Sequence, residues 1–174
     1  MTKLPLMIIH GGQTGVDRGA HEAATDIGWQ IGGFMPSSCR DEYGPIPSGV
    51  SRHLTRCATI GYGARTEANL AIAHALLVVV SDADDPYRTP GTKKTLLDAR
   101  EIRLPREVVD ATSDDLTTAA WLRLLFNQVK HQNGQLQVPP FRLMVAGPRE
   151  SKWTDGRVQT AAFLRRVARQ LAKP

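Results

Sequence analysis

The sequence predicts a three-layer α/β domain with a mainly parallel sheet, and three observations predict it. Short apolar runs alternate with stretches of helical spacing along the whole chain. The runs LMIIH (Leu6 to His10), ALLVVV (Ala75 to Val80) and FRLMVA (Phe141 to Ala146) carry the near-continuous hydrophobicity of strands covered on both faces. Glycine-containing loops follow these runs, as they do where a parallel strand turns into its crossover helix.

The elements follow in order. Leu6 to His10 reads as a buried strand that runs straight into Gly11 and Gly12. Val16, Ala20, Ala23, Ala24 and Ile27 have helical spacing, and Gly28 is placed to end that helix in a left-handed conformation. Trp29 to Phe34 reads as a second strand. Met35 to Ser51 is rich in Pro, Gly, Ser and charge without a clear period, so it reads as an ordered loop. A connection of that length without secondary structure implies a functional loop or a missed element. Arg65 to Ala75 reads as a helix with Ala68, Ala71, Ile72 and Ala75 on one face, and Leu76 to Val80 as a strand at the centre of the sheet. Thr92 to Ile102 reads as a helix and Val108 and Val109 as a short strand. Asp114 to Gln132 reads as a long helix closed by Asn133 and Gly134. Phe141 to Ala146 is the last strand. After a loop from Gly147 to Gly156, a helix from Val158 to Leu171 turns Val158, Ala161, Leu164, Val167, Ala168 and Leu171 toward the core.

The 174 residues are expected to form one domain, residues 1–174, with a sizeable core. Hydrophobic residues make up 41% and charged residues 22%, which places the chain among ordinary globular proteins rather than disordered, collagenous or coiled-coil ones. No apolar run approaches the roughly 18 residues that span a bilayer. Met1 to Ile9 is too short for a signal peptide and lacks a cleavage-type tail, so the expectation is a cytoplasmic protein with no membrane partner. Cys39 and Cys57 form no CxxC pair and read as two reduced thiols. The net charge of +5 attracts anions but falls short of a nucleic-acid binder. Arg165, Arg166 and Arg169 read as a solvated helix face, because no aromatic residues interleave with them.

Chemistry concentrates in three loops: His10 to Gly15, Ser81 to Thr92 with Gly91 and Thr92 at its end, and Gly147 to Ser151. In a parallel sheet every strand ends on the same edge, so these loops converge where open α/β folds bind ligands. Glycine allows tight turns with exposed N–H groups, and the following helix adds unpaired donors and partial positive charge, a combination suited to phosphate. Arg18, Lys93, Lys94 and Arg149 bring cations to that edge. The GGxTG segment is neither the GxGxxG dinucleotide fingerprint nor the GxxxxGK[ST] phosphate loop.

The segments GGQTGVDRGA (Gly11 to Ala20), GGFMP (Gly32 to Pro36), DEYGPIP (Asp41 to Pro47), RTEAN (Arg65 to Asn69) and AGPRESK (Ala146 to Lys152) resemble the family named putative molybdenum cofactor carriers. That family lies within a Rossmann-like superfamily that also holds the LOG phosphoribohydrolases and other nucleotide-ligand sensors. The resemblance runs from about Met7 to Leu171 and implies a Rossmann-like fold, often homo-oligomeric, that binds a phosphorylated nucleotide-like ligand or the molybdenum cofactor. By motif, Gly11, Gly12, Gln13, Thr14, Gly15 and Arg18 would form a phosphate-facing loop, and Gly147, Arg149, Glu150 and Ser151 a second wall. Arg65, Glu67 and Asn69 would contribute from a helix on which Arg65 and Asn69 share a face.

LOG enzymes cleave an N-glycosidic bond with a glutamate in a PGGxGTxxE motif. The corresponding stretch here is Pro90 to Thr95, and Thr95 stands where that glutamate would be. A threonine cannot stabilise positive charge on a ribose or activate water. No catalytic residue is therefore assigned, and the expectation is a carrier or sensor, with a LOG-like nucleotide hydrolase as the alternative. Glu67, Glu150, Asp17 and Asp82 are the carboxylates that hydrolase would draw on. His10, His21, His53, His74 and His131 show no HExxH or HxxE spacing, so no metal ligand is assigned. Helical faces left over after the sheet forms suggest a homo-oligomer, a dimer or a tetramer.

Overall fold

The computed structural model describes residues 4–133 and 140–173. Its elements are β1 (Leu6–Ile9), α1 (Val16–Ile27), β2 (Gln30–Gly32), β3 (Phe34–Met35), α2 (Ser48–Ser51), β4 (Thr55–Arg56) and α3 (Tyr62–Ile72). They continue with β5 (Ala75–Val79), α4 (Pro90–Glu101), β6 (Arg106–Val109), α5 (Asp115–Asn133), β7 (Phe141–Ala146) and α6 (Gly156–Leu171).

Five strands form one sheet in the order β2-β1-β7-β5-β6, and every pair is parallel. Successive side chains alternate between its faces. Leu6, Ile8, Leu77, Val79, Phe141, Leu143 and Val145 meet Ala20, Ala24, Leu122, Phe163 and Leu164 from α1, α5 and α6 on one face. Ile9, Leu76, Val78 and Met144 meet Leu70, Leu96 and Ala99 from α3 and α4 on the other. The fold is thus the three-layer, Rossmann-like arrangement that the alternating runs predict.

The last strand of the chain, β7, holds the centre of the sheet, with β1 and β5 on either side. The strand predicted as central, β5, is interior and buried along its whole length, but lies one place away. Counting from β7 through α6 and on into β1, the strands lie in the order 3-2-1-4-5, that of a doubly wound sheet. The sequence direction reverses beside β7, which marks the topological switch point where such sheets bind ligands.

The segment predicted as one strand from Trp29 to Phe34 is two. Gly33 has φ 123°, and a Cβ there would sit 2.4 Å from the His10 carbonyl oxygen, so the chain leaves the main sheet at this glycine. Beyond it β3 pairs in parallel with β4 in a small second sheet. The Asn69 side chain holds β3 in place, accepting from Phe34 N at 2.7 Å and donating to Phe34 O at 3.0 Å. The segment Met35 to Ser51 contains α2 and covers a satellite core of Met35, Ile46, Val50 and Leu54. Helix α3 begins three residues before Arg65, and α4 begins at Pro90, capped by Thr89. Gly28 ends α1 with φ 76°, as its position predicts. Gly134 lies outside the described residues. In the Arg165–Arg169 cluster, Arg165 pairs with Asp26 of α1, and Arg166 lies 3.5 Å from Asp115 of α5.

Candidate functional site

A cavity of about 620 Å³ opens beyond the C-terminal end of β7, at the switch point. That volume suits a nucleotide-sized molecule. Met144, Val145 and Ala146 give it an apolar floor, and the first turn of α4 points its end at the space through Thr89, Pro90, Gly91 and Thr92. The helix dipole favours an anion there, while Pro90 has no N–H and Thr92 N already donates to Thr89 Oγ1.

Gly11, Gln13, Arg65, Asn69, Gly91, Thr92, Gly147 and Arg149 all line this cavity, so three loops and α3 do converge. Asp17, Lys94, Thr95 and Lys152 join them. Gly12, Thr14, Gly15, Arg18, Glu67, Glu150 and Ser151 do not line it. Gly147 stands where a Cβ would fall 2.1 Å from the Val79 carbonyl oxygen and 2.7 Å from Val16 Cγ2, so the chain crosses there as bare backbone.

The first glycine loop is closed by its own side chains. Gly11 N and Gln13 N both donate to Asp17 Oδ2 at 3.0 Å. Gly12 N donates to His10 Nδ1 at 3.0 Å, and Thr14 N to Gln13 Oε1 at 2.9 Å. The four amides a phosphate would seek on this loop therefore already have acceptors. Arg65 extends over Gly11 and brings Nη1 to 3.5 Å from Asp17 Oδ2. Burial pushes the Asp17 carboxyl up from its ordinary value, against the opposing pull of Arg65 and the two amides.

His10 is fully buried. Because Nδ1 accepts the Gly12 amide, the ring proton belongs on Nε2, which lies 3.1 Å from His21 Nδ1. The His21 ring meets His53 edge to face at 5.3 Å. Burial first, and then the neighbouring His21, Arg18, Arg65 and His53, push the His10 pKa down to about 3, so the ring is neutral at physiological pH.

Arg18 points away from the cavity, with Nη2 2.6 Å from Asp41 Oδ2. Asp41 Oδ1 accepts from Tyr43 N and Gly44 N at 2.8 and 3.0 Å, which fixes a tight turn. The next residue, Glu42, reaches between the first and third loops. Its carboxylate accepts from the Thr14 hydroxyl, the Ser151 hydroxyl and Ser151 N at 3.1 Å, and Arg149 Nε lies 3.2 Å away. Glu150 N donates to Thr14 Oγ1 at 3.1 Å. Thr14, Glu150 and Ser151 thus tie the two loops together beside the cavity, next to the lining residues Gln13 and Arg149. Glu67 is exposed, with Oε1 3.6 Å from Lys94 Nζ.

Four basic side chains and one carboxylate line the cavity. Asp17 faces Arg65; Lys94 meets Asp98 at 2.5 Å and Glu67 at 3.6 Å; Glu42 faces Arg149. Among the described residues, Lys152 alone of the four basic groups has no carboxylate within 4.0 Å. The Thr95 hydroxyl donates to Gly91 O at 3.0 Å, within its own helix. The acidic run Asp82 to Asp85 contributes nothing to the lining. Among the described residues no group of three or more His, Cys, Asp or Glu is placed to hold a metal ion, and no helix is long and apolar enough to cross a membrane.

Sequence reasoning does not single out Glu42 or Lys152. Both lie in segments that carry the family resemblance, DEYGPIP and AGPRESK, and that was the available signal.

A sequence model of the circularly permutated YpsA SLOG family matches residues 8–168. No curated protein matches the chain. Among solved structures, a protein from Syntrophus aciditrophicus named as a putative molybdenum carrier protein superposes with a TM-score of 0.77. The two sequences are 24% identical, over 95% of this chain and 97% of that one.

Proposed function

This chain belongs to the circularly permutated YpsA SLOG family, and on that premise we propose that it is a carrier or sensor that binds a phosphate-bearing ligand of nucleotide size. Nucleotides and molybdopterin-type cofactors are the two ligand classes, the second suggested also by the name of the Syntrophus aciditrophicus protein. The observation that carries the reading is the cavity of about 620 Å³ at the switch point, lined by Arg65, Lys94, Arg149 and Lys152, of which Lys152 has no carboxylate within 4.0 Å among the described residues. The phosphate lies against the first turn of α4 and the Gly147–Lys152 loop rather than on the amides of the first loop, which Asp17, His10 and Gln13 already hold. The apolar floor of Met144, Val145 and Ala146 takes the flat ring of the ligand.

A second reading, hydrolysis of a nucleotide, draws on the presence of Asp17 in the lining with its carboxyl pushed up by burial. Against it, Oδ2 is engaged by two amides and Arg65, and Thr95 supplies no carboxylate. Denaturing the purified protein and analysing the released small molecules by mass spectrometry tests the first reading. A stoichiometric phosphorylated nucleotide or pterin is the expected result. Release of free base from nucleoside monophosphates, abolished in Asp17→Asn, would support the hydrolase instead. The family resemblance also implies a homo-oligomer, which light scattering on the eluting protein measures directly.

A further inference from the structure

The internal carboxylates are distributed unevenly in kind. Asp17 belongs to α1, is buried, and supports the backbone of the first loop. Glu42 belongs to a turn between Arg40 and Pro45, which meet only as an isolated bridge, so its carboxylate is delivered by a loop rather than by a packed helix. Its side chain is nevertheless only 7% exposed. The groups around it are one backbone N–H from Ser151, two hydroxyls from Thr14 and Ser151, and the Arg149 guanidinium. A phosphate monoester presents three acceptor oxygens and takes the same kinds of donors. Burial pushes the Glu42 carboxyl up, but the two hydroxyls, the Ser151 amide and Arg149 together hold it below its ordinary value, so it is an anion that fills the place. Arg149 both lines the cavity and faces Glu42, so the two spaces are contiguous.

We propose that Ser151, Thr14 and Arg149 form an anion seat at the rim of the cavity, and that Glu42 is an exchangeable internal occupant of it. A phosphate group of the ligand displaces the Glu42 carboxylate, and residues 42–45 move aside as it leaves. This rests on the reading that the cavity binds phosphorylated ligands, and it adds to that reading a second phosphate position and a competing strap. Charge argues for exchange rather than addition. With Glu42 in place, Arg149 Nε lies 3.2 Å from a carboxylate, and a ligand carrying two or more negative charges meets that like charge beside the guanidinium unless Glu42 leaves. Asp41 remains on Arg18 at 2.6 Å and acts as the hinge side of the strap.

The test is calorimetric titration of inorganic phosphate and of adenosine 5′-monophosphate into the native protein and into Glu42→Gln and Glu42→Ala. The expected result is that both variants bind inorganic phosphate at least about tenfold more tightly than the native chain, and that adding Ser151→Ala to Glu42→Gln removes the gain. Unchanged or weaker phosphate binding in folded Glu42→Gln overturns the proposal, because a carboxylate that only braces the loops would not compete. Should both variants fail to fold, amide hydrogen exchange on the native protein decides. Phosphate or the nucleotide should speed exchange of the Glu42 amide, which donates to Gln13 Oε1 at 3.1 Å, and unchanged or slower exchange there overturns the strap. Nucleotide binding by the native protein with no gain in Glu42→Gln refutes the seat alone. A phosphate gain in the variant, with no nucleotide binding by the native chain, refutes the nucleotide reading alone.

Discussion

Acidification from pH 7.5 to 5 should weaken the fold through His10 in an amount that the structure fixes. The ring is fully buried, and its pKa is lowered from 6.5 in the free side chain to about 3 in the folded chain. Below pH 6.5 the unfolded chain takes up a proton that the folded chain refuses. Stability is therefore complete above pH 6.5 and is lost as pH falls toward 3. At pH 5 the unfolded state is about 1.5 pH units below its pKa while the folded ring stays neutral, which corresponds to about 2 kcal/mol. Near pH 3 the loss approaches about 4–5 kcal/mol. His21, also pushed down by burial and by His53, adds in the same direction. Urea denaturation of the native chain and of His10→Gln at pH 7.5 and 5 isolates the effect, since the variant keeps a group able to accept the Gly12 amide but does not titrate. The native chain should lose about 2 kcal/mol more than the variant between the two pH values. Equal losses would show that His10 does not stay neutral in the fold, and the assignment of its proton to Nε2 would fall with it.

Three further outcomes follow from the same geometry. Gly147→Ala should destabilise the fold by about 2–3 kcal/mol or more, because a Cβ 2.1 Å from the Val79 carbonyl forces backbone apart, and thermal denaturation reads it. Asp17→Ala leaves the buried Gly11 amide without an acceptor, at about 1–3 kcal/mol, and the half-buried Gln13 amide at less, so its urea midpoint should fall well below that of an exposed control such as Glu67→Ala. Arg18→Ala strips Asp41 of its partner in a pair 14% and 6% exposed; it should lower stability by about 2–3 kcal/mol and speed amide exchange at Tyr43 and Gly44.

The layers of the fold were legible because continuous apolar runs and helical spacing report burial, although Val158, expected toward the core, is exposed and Ala75, expected on the helix, opens β5. Gly28 after Ile27 marked a helix end through backbone chemistry alone, whereas the start of α4 was placed at Thr92, two residues beyond the Pro90 that opens it after its Thr89 cap. The break at Gly33 was not legible, since it depends on the carbonyl of His10, twenty-three positions away. The central place of β7 was hidden for a similar reason, because strand order is a tertiary property and the chain delivers its middle strand last. At the site, convergence of the three loops could be read from topology, whereas the fate of their N–H groups could not. That Asp17 turns back onto Gly11 and Gln13, and that His10 accepts Gly12, are matters of side-chain direction. Glu42 stayed unread because the segment around it has no period, and its role arises from contacts with Thr14 and Ser151 across the fold.

The central claim, that the cavity at the switch point binds a phosphorylated ligand through its basic lining, is tested most directly by one calorimetric comparison. Nucleoside mono- and diphosphates and a phosphorylated pterin would be titrated into the native chain and into the double variant Arg65→Ala, Lys152→Ala. Saturable one-to-one binding of at least one ligand, weakened at least about tenfold in the folded double variant, is the predicted result. Absence of binding by every member at millimolar concentration, or binding that the double variant leaves unchanged, would contradict it.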